Sequence, residues 1–172
     1  ELRSAGVRAE AMACDVTSPS QVQDLFHRVI DTFGRLDLLV NDAAYNKWIP
    51  FNDLDAMTYE EWQKILAVNL TGPMLCIKAA APAMQRSGGG RIVNIASVAG
   101  LAPSGSSIPY AVSKAGLIHL TRCMAVGLAP AGRGSGGPRA AARRSVRLGG
   151  GRGGEGGRGG GAGGAGSGRG GG

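Results

Sequence analysis

The apolar positions of this chain change period several times, and each change marks an element. Residues 7–15 read Val-Arg-Ala-Glu-Ala-Met-Ala-Cys-Asp. Small apolar and polar residues alternate there, which predicts a strand. Val22, Leu25, Phe26, Val29, Ile30 and Phe33 then recur at helical spacing and form one apolar stripe. Ahead of that stripe, Ser18 suits an N-cap, Pro19 suits the first helical turn, and Gln21 completes a capping box. Gly34 is the expected terminator. A short apolar run follows at 36–40. Strand, helix and strand in this order predict a βαβ crossover, the unit of a parallel sheet.

The alternation pauses over 41–56, a predicted loop holding the aromatics Tyr45 and Trp48. Thr58 and Glu61 form a second capping box, and a helical pattern runs from there to about Arg86, where Gly88-Gly89-Gly90 breaks it. Residues 91–97 predict a third strand, with Ile-Val-Asn-Ile at its centre. A polar loop at 104–107 leads to a last helix from about Pro109 to Leu128. That helix carries Leu117, Leu120, Met124 and Leu128 on one face, and Pro130 ends it. The pattern predicts an α/β fold.

Composition divides the chain near residue 130. The first 130 residues are balanced, with 11 basic against 11 acidic side chains. Residues 131–172 hold 8 Arg, 21 Gly and a single acid, Glu155, so the whole net charge of +7 sits in this tail. The body therefore gives no electrostatic reason to expect nucleic acid. The tail has no period, no aromatic residue and hardly any large aliphatic. Burial cannot offset the entropy of ordering its glycines, so it is expected to be disordered. The expected division is a domain over 1–130 and a low-complexity Gly/Arg-rich tail over 131–172. Cys14, Cys76 and Cys123 are far apart and odd in number, which argues against a disulfide framework and a zinc site. No metal site is expected. No apolar run approaches the roughly 20 residues of a membrane span, and no signal peptide is visible. The chain opens at Glu1 rather than Met, which suggests that its true start is missing.

Chemistry concentrates in Tyr110-Ala-Val-Ser-Lys114 at a helix start. Positions i and i+4 share one face, so the phenol and the ammonium project together. A tyrosine is ordinarily a poor base at neutral pH, and a nearby cation favours its phenolate. Ser97 stands at the carboxyl end of a predicted strand, where open α/β sheets gather their ligand-binding groups. Farther upstream, Val68-Asn69-Leu70 precedes Gly72-Pro73. Pro73 has no N–H for the Asn69 carbonyl, so a bend is expected there, with that carbonyl left for a water or a side chain.

Asn69, Ser97, Tyr110 and Lys114 match in order and spacing the Asn–Ser–Tyr–Lys tetrad of a known family. Leu-Val-Asn-Asp-Ala-Ala (39–44), Val-Asn-Leu-Thr-Gly (68–72), Ile-Val-Asn-Ile-Ala-Ser (92–97) and Tyr-Ala-Val-Ser-Lys (110–114) match its blocks. Over about residues 1–130 the chain resembles the short-chain dehydrogenase/reductase family. The resemblance implies a partial Rossmann-like, doubly wound parallel sheet and an NAD(P)-dependent oxidoreductase, with NAD or NADP as cofactor. The implied reaction moves a hydride between the nicotinamide and a small alcohol or ketone. Tyr110 would move the substrate proton and Ser97 would hydrogen-bond the substrate oxygen. Lys114 would act on the tyrosine and contact the nicotinamide ribose. Asn69 would hold a relay water through its main chain. Asp15 and Val16 match residues that meet the adenine ring. Asn41, Ala43 and Ala44 match the Asn-Asn-Ala-Gly block on the cofactor's adenosine side. Here Asp42 replaces an asparagine and Ala44 a glycine. A homo-oligomeric parent enzyme in the cytoplasm, with no membrane partner, is also implied.

Two parts of the family pattern have no counterpart. No strand, glycine-rich turn and helix that would meet a pyrophosphate is present. In the family's sheet order, the two missing strands lie between 7–15 and 36–40. Residues 7–15 are therefore expected to be detached or paired directly with 36–40. After residue 130 the family continues into a further Ile-Arg-Val-Asn-like strand, whereas this chain turns at once to Arg/Gly low complexity. The switch resembles a reading-frame change, with an authentic tail as the alternative. The competing functional class is a catalytically inactive remnant, or an interaction protein using the tail. The tail's Gly-Arg-Gly-Gly repeats resemble RNA-binding segments, but those often interleave aromatics for base stacking, and none follows Tyr110. A nucleic-acid partner is accordingly not expected.

Overall fold

A computed structural model of the chain describes residues 4–129 and 146–149. Helix α1 (Pro19–Phe33) begins where Ser18 caps it, accepting from the Gln21 N–H, and ends at Gly34. Gly34 takes the left-handed conformation, with φ 78°, that a side chain would resist. The capping box is only half formed. The Gln21 side chain accepts from the Asp15 N–H at 2.9 Å and so ties down the segment before the helix.

Strand β1 (Leu38–Asn41) follows. Next come α2 (Tyr59–Leu66), a π turn (Ala67–Thr71) and α3 (Gly72–Arg86) in one continuous helical run. The bend expected at Gly72-Pro73 takes the form of this π turn, in which the Gly72 N–H reaches back to the Ala67 carbonyl. A π turn widens the helix by one residue, a common arrangement at functional sites. The second capping box is also half formed. Thr58 accepts from the Glu61 N–H, but the Glu61 carboxylate is held elsewhere, by Lys47 and Tyr45. The run Tyr59–Arg86 is long and apolar enough to cross a membrane by length and composition, against the expectation that nothing approached a span. Part of its apolar face packs against α1, α4 and the sheet, and 39% of its most apolar window is buried.

Strand β2 (Arg91–Ser97), a 3-10 turn (Val98–Gly100), α4 (Ile108–Gly127) and β3 (Val146–Gly149) complete the described elements. The strands form one parallel sheet in the order β1-β2-β3, with Asn41 beside Asn94 and Ser97 beside Gly149. Within 131–172, the stretch expected to be disordered, β3 alone belongs to the described residues. Val146 and Leu148 are the tail's only large aliphatics, and the edge of β2 offers them unpaired backbone donors and acceptors. The rest of the tail lies outside the described residues.

The strand predicted at 7–15 does not form. Its alternation is real, since Met12, Cys14 and Val16 are half-buried while Ala11, Ala13 and Asp15 are exposed. No described strand lies beside it, so it is an extended segment without a ladder. The detached outcome is the one found. Cys14 and Val16 join Val22 and Phe26 of α1, Cys76, Ala80 and Met84 of α3, and Leu39 and Ile92 of the sheet in the main core. Gly72 makes that packing possible, because a Cβ there would come within 2.9 Å of the Val16 side chain. Leu39, Asn41, Ile92 and Asn94 share the sheet face on which the described helices pack. On the opposite face Leu38 is 53% and Val40 49% exposed. The described residues thus supply one helical layer of an α/β sheet.

Candidate active site

The site lies at the carboxyl ends of β1 and β2, where the parallel sheet meets the start of α4. Ser107 is fully buried and caps α4 by accepting from the Tyr110 N–H. Tyr110 and Lys114 follow on one helical face. The Lys114 Nζ lies 5.7 Å from the centre of the Tyr110 ring and donates to the Ile95 carbonyl at 2.9 Å. Lys114 is only 3% exposed. Burial pushes its pKa below the usual lysine value, and the Asp42 carboxylate partly opposes that effect. Gly100 fixes how closely the 3-10 turn crosses α4, since a Cβ there would come within 2.7 Å of the Lys114 backbone.

Ser97 ends β2, and its hydroxyl accepts from the Ala99 N–H at 3.2 Å, which leaves its own proton to donate. The Tyr110 hydroxyl makes no hydrogen bond to another described residue. Tyr110, Lys114 and Ser97 therefore gather at one end of the sheet with two hydroxyl protons and an ammonium available.

Asn69 is fully buried in the π turn, and its side chain acts as a clamp. Its Oδ1 accepts from the Tyr45 N–H at 2.7 Å, and its Nδ2 donates to the Tyr45 carbonyl at 2.9 Å and to the Ser113 hydroxyl at 3.1 Å. Ser113 in turn donates to the Tyr110 carbonyl at 2.7 Å. One amide thus ties the loop after β1 to the helix carrying Tyr110. The same loop is tied to the approach of α4 by Ser106, whose carbonyl accepts from the Ile49 N–H at 2.8 Å and whose hydroxyl pairs with Asn46. Farther along it, Lys47 bonds Glu61 at 2.8 Å and holds that carboxyl below its usual range. Sequence reasoning missed Tyr45, Ser107 and Ser113 as site-shaping groups. The cap signal at Ser107, ahead of a proline in the first turn, was readable. The clamp was not, because it joins residues 24 and 44 positions apart.

The residues matched to cofactor contact divide into two groups. Ala43 and Ala44 are exposed just beyond β1. The Asn41 side chain is buried and donates to the Asn94 Oδ1 at 2.8 Å, while Asn94 donates to Thr121 on α4 at 2.8 Å. Asn41 therefore presents its backbone rather than its amide. Asp15 is exposed and accepts from the Thr17 N–H and hydroxyl, both at 2.8 Å, which holds its carboxyl below the usual range. Val16 packs against Gly72. Lys114 and Tyr110 thus stand apart from the exposed backbone of Ala43-Ala44, which lies just beyond β1. Among the described residues no glycine-rich turn leads from a strand into a helix to meet a dinucleotide's pyrophosphate.

Comparison with known proteins bears on this arrangement. Residues 1–132 match the short chain dehydrogenase family. The D-beta-hydroxybutyrate dehydrogenase of Rhizobium meliloti is 38% identical over 118 residues, covering 69% of this chain and 45% of that protein. The crystal structure of a short chain dehydrogenase from Mycobacterium smegmatis is 41% identical with a TM-score of 0.69, covering 74% of this chain and 52% of that one. An NAD+-bound xylitol dehydrogenase is 33% identical, also with a TM-score of 0.69, over 74% of this chain and 48% of that one. The chain spans about half the length of the curated relatives it matches. With the family pattern matched across its whole body, and likeness to solved members over the same residues, the chain belongs to the short-chain dehydrogenase family.

Proposed function

We propose that this chain carries the catalytic half of an NAD(P)-dependent oxidoreductase acting on a small alcohol or ketone. The observation that supports the reading most is the placement of Tyr110 and Lys114 on one face of α4, at the sheet end where β2 delivers Ser97. A nicotinamide held beside Lys114 and Tyr110 would supply or accept the hydride. In carbonyl reduction Tyr110 donates its phenolic proton to the substrate oxygen as the carbon receives the hydride, and Ser97 hydrogen-bonds that same oxygen. Lys114 favours the phenolate left behind and contacts the ribose. Asn69, through its main chain at the π turn, holds the water from which Tyr110 is reprotonated. Oxidation runs the same steps backwards, with the phenolate as base. Asp15, Val16, Asn41, Ala43 and Ala44 line the adenosine side, Asn41 through its backbone.

A homo-oligomeric whole protein and a cytoplasmic location belong to the same proposal, and family resemblance supports both. The division at residue 130 into a catalytic body and a low-complexity tail is part of it as well. The test is carbonyl-dependent oxidation of NADH or NADPH by the whole protein. Turnover is expected with at least one cofactor and a small ketone, and its loss is expected in Tyr110→Phe. Unchanged turnover in that variant would reject the assignment.

A further inference from the structure

Two fully buried serines hold Tyr110 by its backbone. Ser107 accepts from the Tyr110 N–H at 3.4 Å, and Ser113 donates to the Tyr110 carbonyl at 2.7 Å. They differ in what lies behind them. Ser107 is the cap of the same helix. Ser113 accepts from the Asn69 Nδ2 at 3.1 Å, so it joins α4 to the π turn. Gly116, one turn farther along α4, lets the two elements approach, since a Cβ there would come within 3.0 Å of the Leu70 side chain. A serine that bonds back to its own helix is ordinarily a local matter. This one is not, because its oxygen also receives a buried amide from another element.

We propose that Ser113 is a positioning residue that fixes the spacing between Tyr110 and the main chain of the π turn. The inference rests on the proposed proton relay, in which the Asn69 main chain holds the water that reprotonates Tyr110. Such a relay depends on spacing, because hydrogen bonds weaken steeply as they lengthen or bend. The path from Asn69 through Ser113 to Tyr110 has no slack. Ser113 gives its single proton to Tyr110, and the other proton and the oxygen of the Asn69 amide are held by the Tyr45 backbone. Removing the Ser113 hydroxyl releases both links at once and leaves one Asn69 amide proton without an acceptor.

Thr121 provides the control. Its hydroxyl donates to the Leu117 carbonyl at 2.7 Å and accepts from the Asn94 Nδ2 at 2.8 Å, the same arrangement two turns farther along α4. Ser113→Ala and Thr121→Val thus each strand a buried asparagine amide, and only the first releases Tyr110. In the full chain, the 13C-labelled Tyr110 ring signals are expected to shift in Ser113→Ala and to stay in place in Thr121→Val. In the whole protein, Ser113→Ala is expected to lower kcat by about 10²-fold, the scale of a misplacement of about an ångström. The KM for the ketone should change little, and Thr121→Val should leave kcat nearly unchanged. Ring signals or a kcat that respond equally in the two variants, or that respond in neither, overturn the proposal. Failure of the catalytic reading would appear separately, as turnover retained in Tyr110→Phe.

Discussion

Lys114 is a charge stored inside the protein, and two measurable consequences follow. The first is a pH dependence of stability. Its folded-state pKa lies below the ordinary lysine value of 10.5. Below the folded pKa both states carry the proton, and the cost of burial is fully present. As pH rises through the folded pKa toward 10.5, the unfolded chain binds more protons than the folded one, so the cost is relieved and stability rises. Wild type is therefore expected to gain stability relative to Lys114→Met over that window, as read by denaturant melts at stepped pH. A flat difference would show that burial does not perturb the group. The second consequence concerns the pair. Removing a positioned proton donor typically costs about 10²–10⁴-fold. Tyr110→Phe should lose turnover on that order while cofactor affinity stays nearly intact. Lys114→Ala should weaken both, and Ser97→Ala should lower turnover with little effect on cofactor. The shared face of Tyr110 and Lys114 was legible from the sequence because a helix turns i+4 back onto i. The bond from Lys114 to Ile95 was not legible, because the residues are 19 positions apart and meet only once α4 lies on β2.

The helices, whose signals are local, and the strands at β1 and β2 form as read, whereas residues 7–15 do not form a strand. Helix α1 carries its own stripe, cap and terminating glycine, and it forms between Pro19 and Phe33. Residues 7–15 alternate as a strand should, but a strand is defined by its partner, and none is described beside them. Val146–Gly149, four residues too short to register as a period, pairs along the edge of β2. A proline at Arg147 disfavours the extended pairing of β3 along β2 and should expose β2 amides to hydrogen exchange. Exchange rates on β2 identical in wild type and Arg147→Pro would show that β3 contributes nothing. The π turn is the other element beyond reach of the sequence. Pro73 predicts a break but not its form. Asn69 shows why the form matters, since only a widened turn delivers this clamp. Asn69→Ala strands the Tyr45 backbone N–H and carbonyl. Unsatisfied buried groups cost about 1–3 kcal/mol each, so melting should shift by an amount of that order. The Tyr45 amide should lose protection before α3 does. Simultaneous loss across the chain would mean that Asn69 supports the whole fold rather than one loop.

At the scale of the molecule, the described residues build one helical layer on a three-stranded sheet and leave Leu38 and Val40 on the open face. This layer holds every group proposed for proton transfer, because Asn69, Ser97, Tyr110 and Lys114 all come from the run between α2 and α4. Chemistry and cofactor grip are therefore separable in this chain. In the proposed site the nicotinamide ribose meets Lys114, and the adenosine side meets Asp15, Val16, Ala43 and Ala44. Among the described residues no glycine-rich turn offers the pyrophosphate backbone N–H groups at a helix start. Hydrogen bonds to a charged group contribute about 1.5–3 kcal/mol each, so losing two or three outweighs most of what the remaining contacts supply. Binding of NAD(H) or NADP(H) to the chain of residues 1–172 is expected to be no tighter than about millimolar, near −4 kcal/mol. Titration calorimetry decides the matter, because it needs no turnover. A micromolar constant would mean that other groups in this chain grip the pyrophosphate. Millimolar binding to residues 1–172, with Lys114→Ala weaker still, would place the remaining affinity at the ribose end, where the ammonium lies.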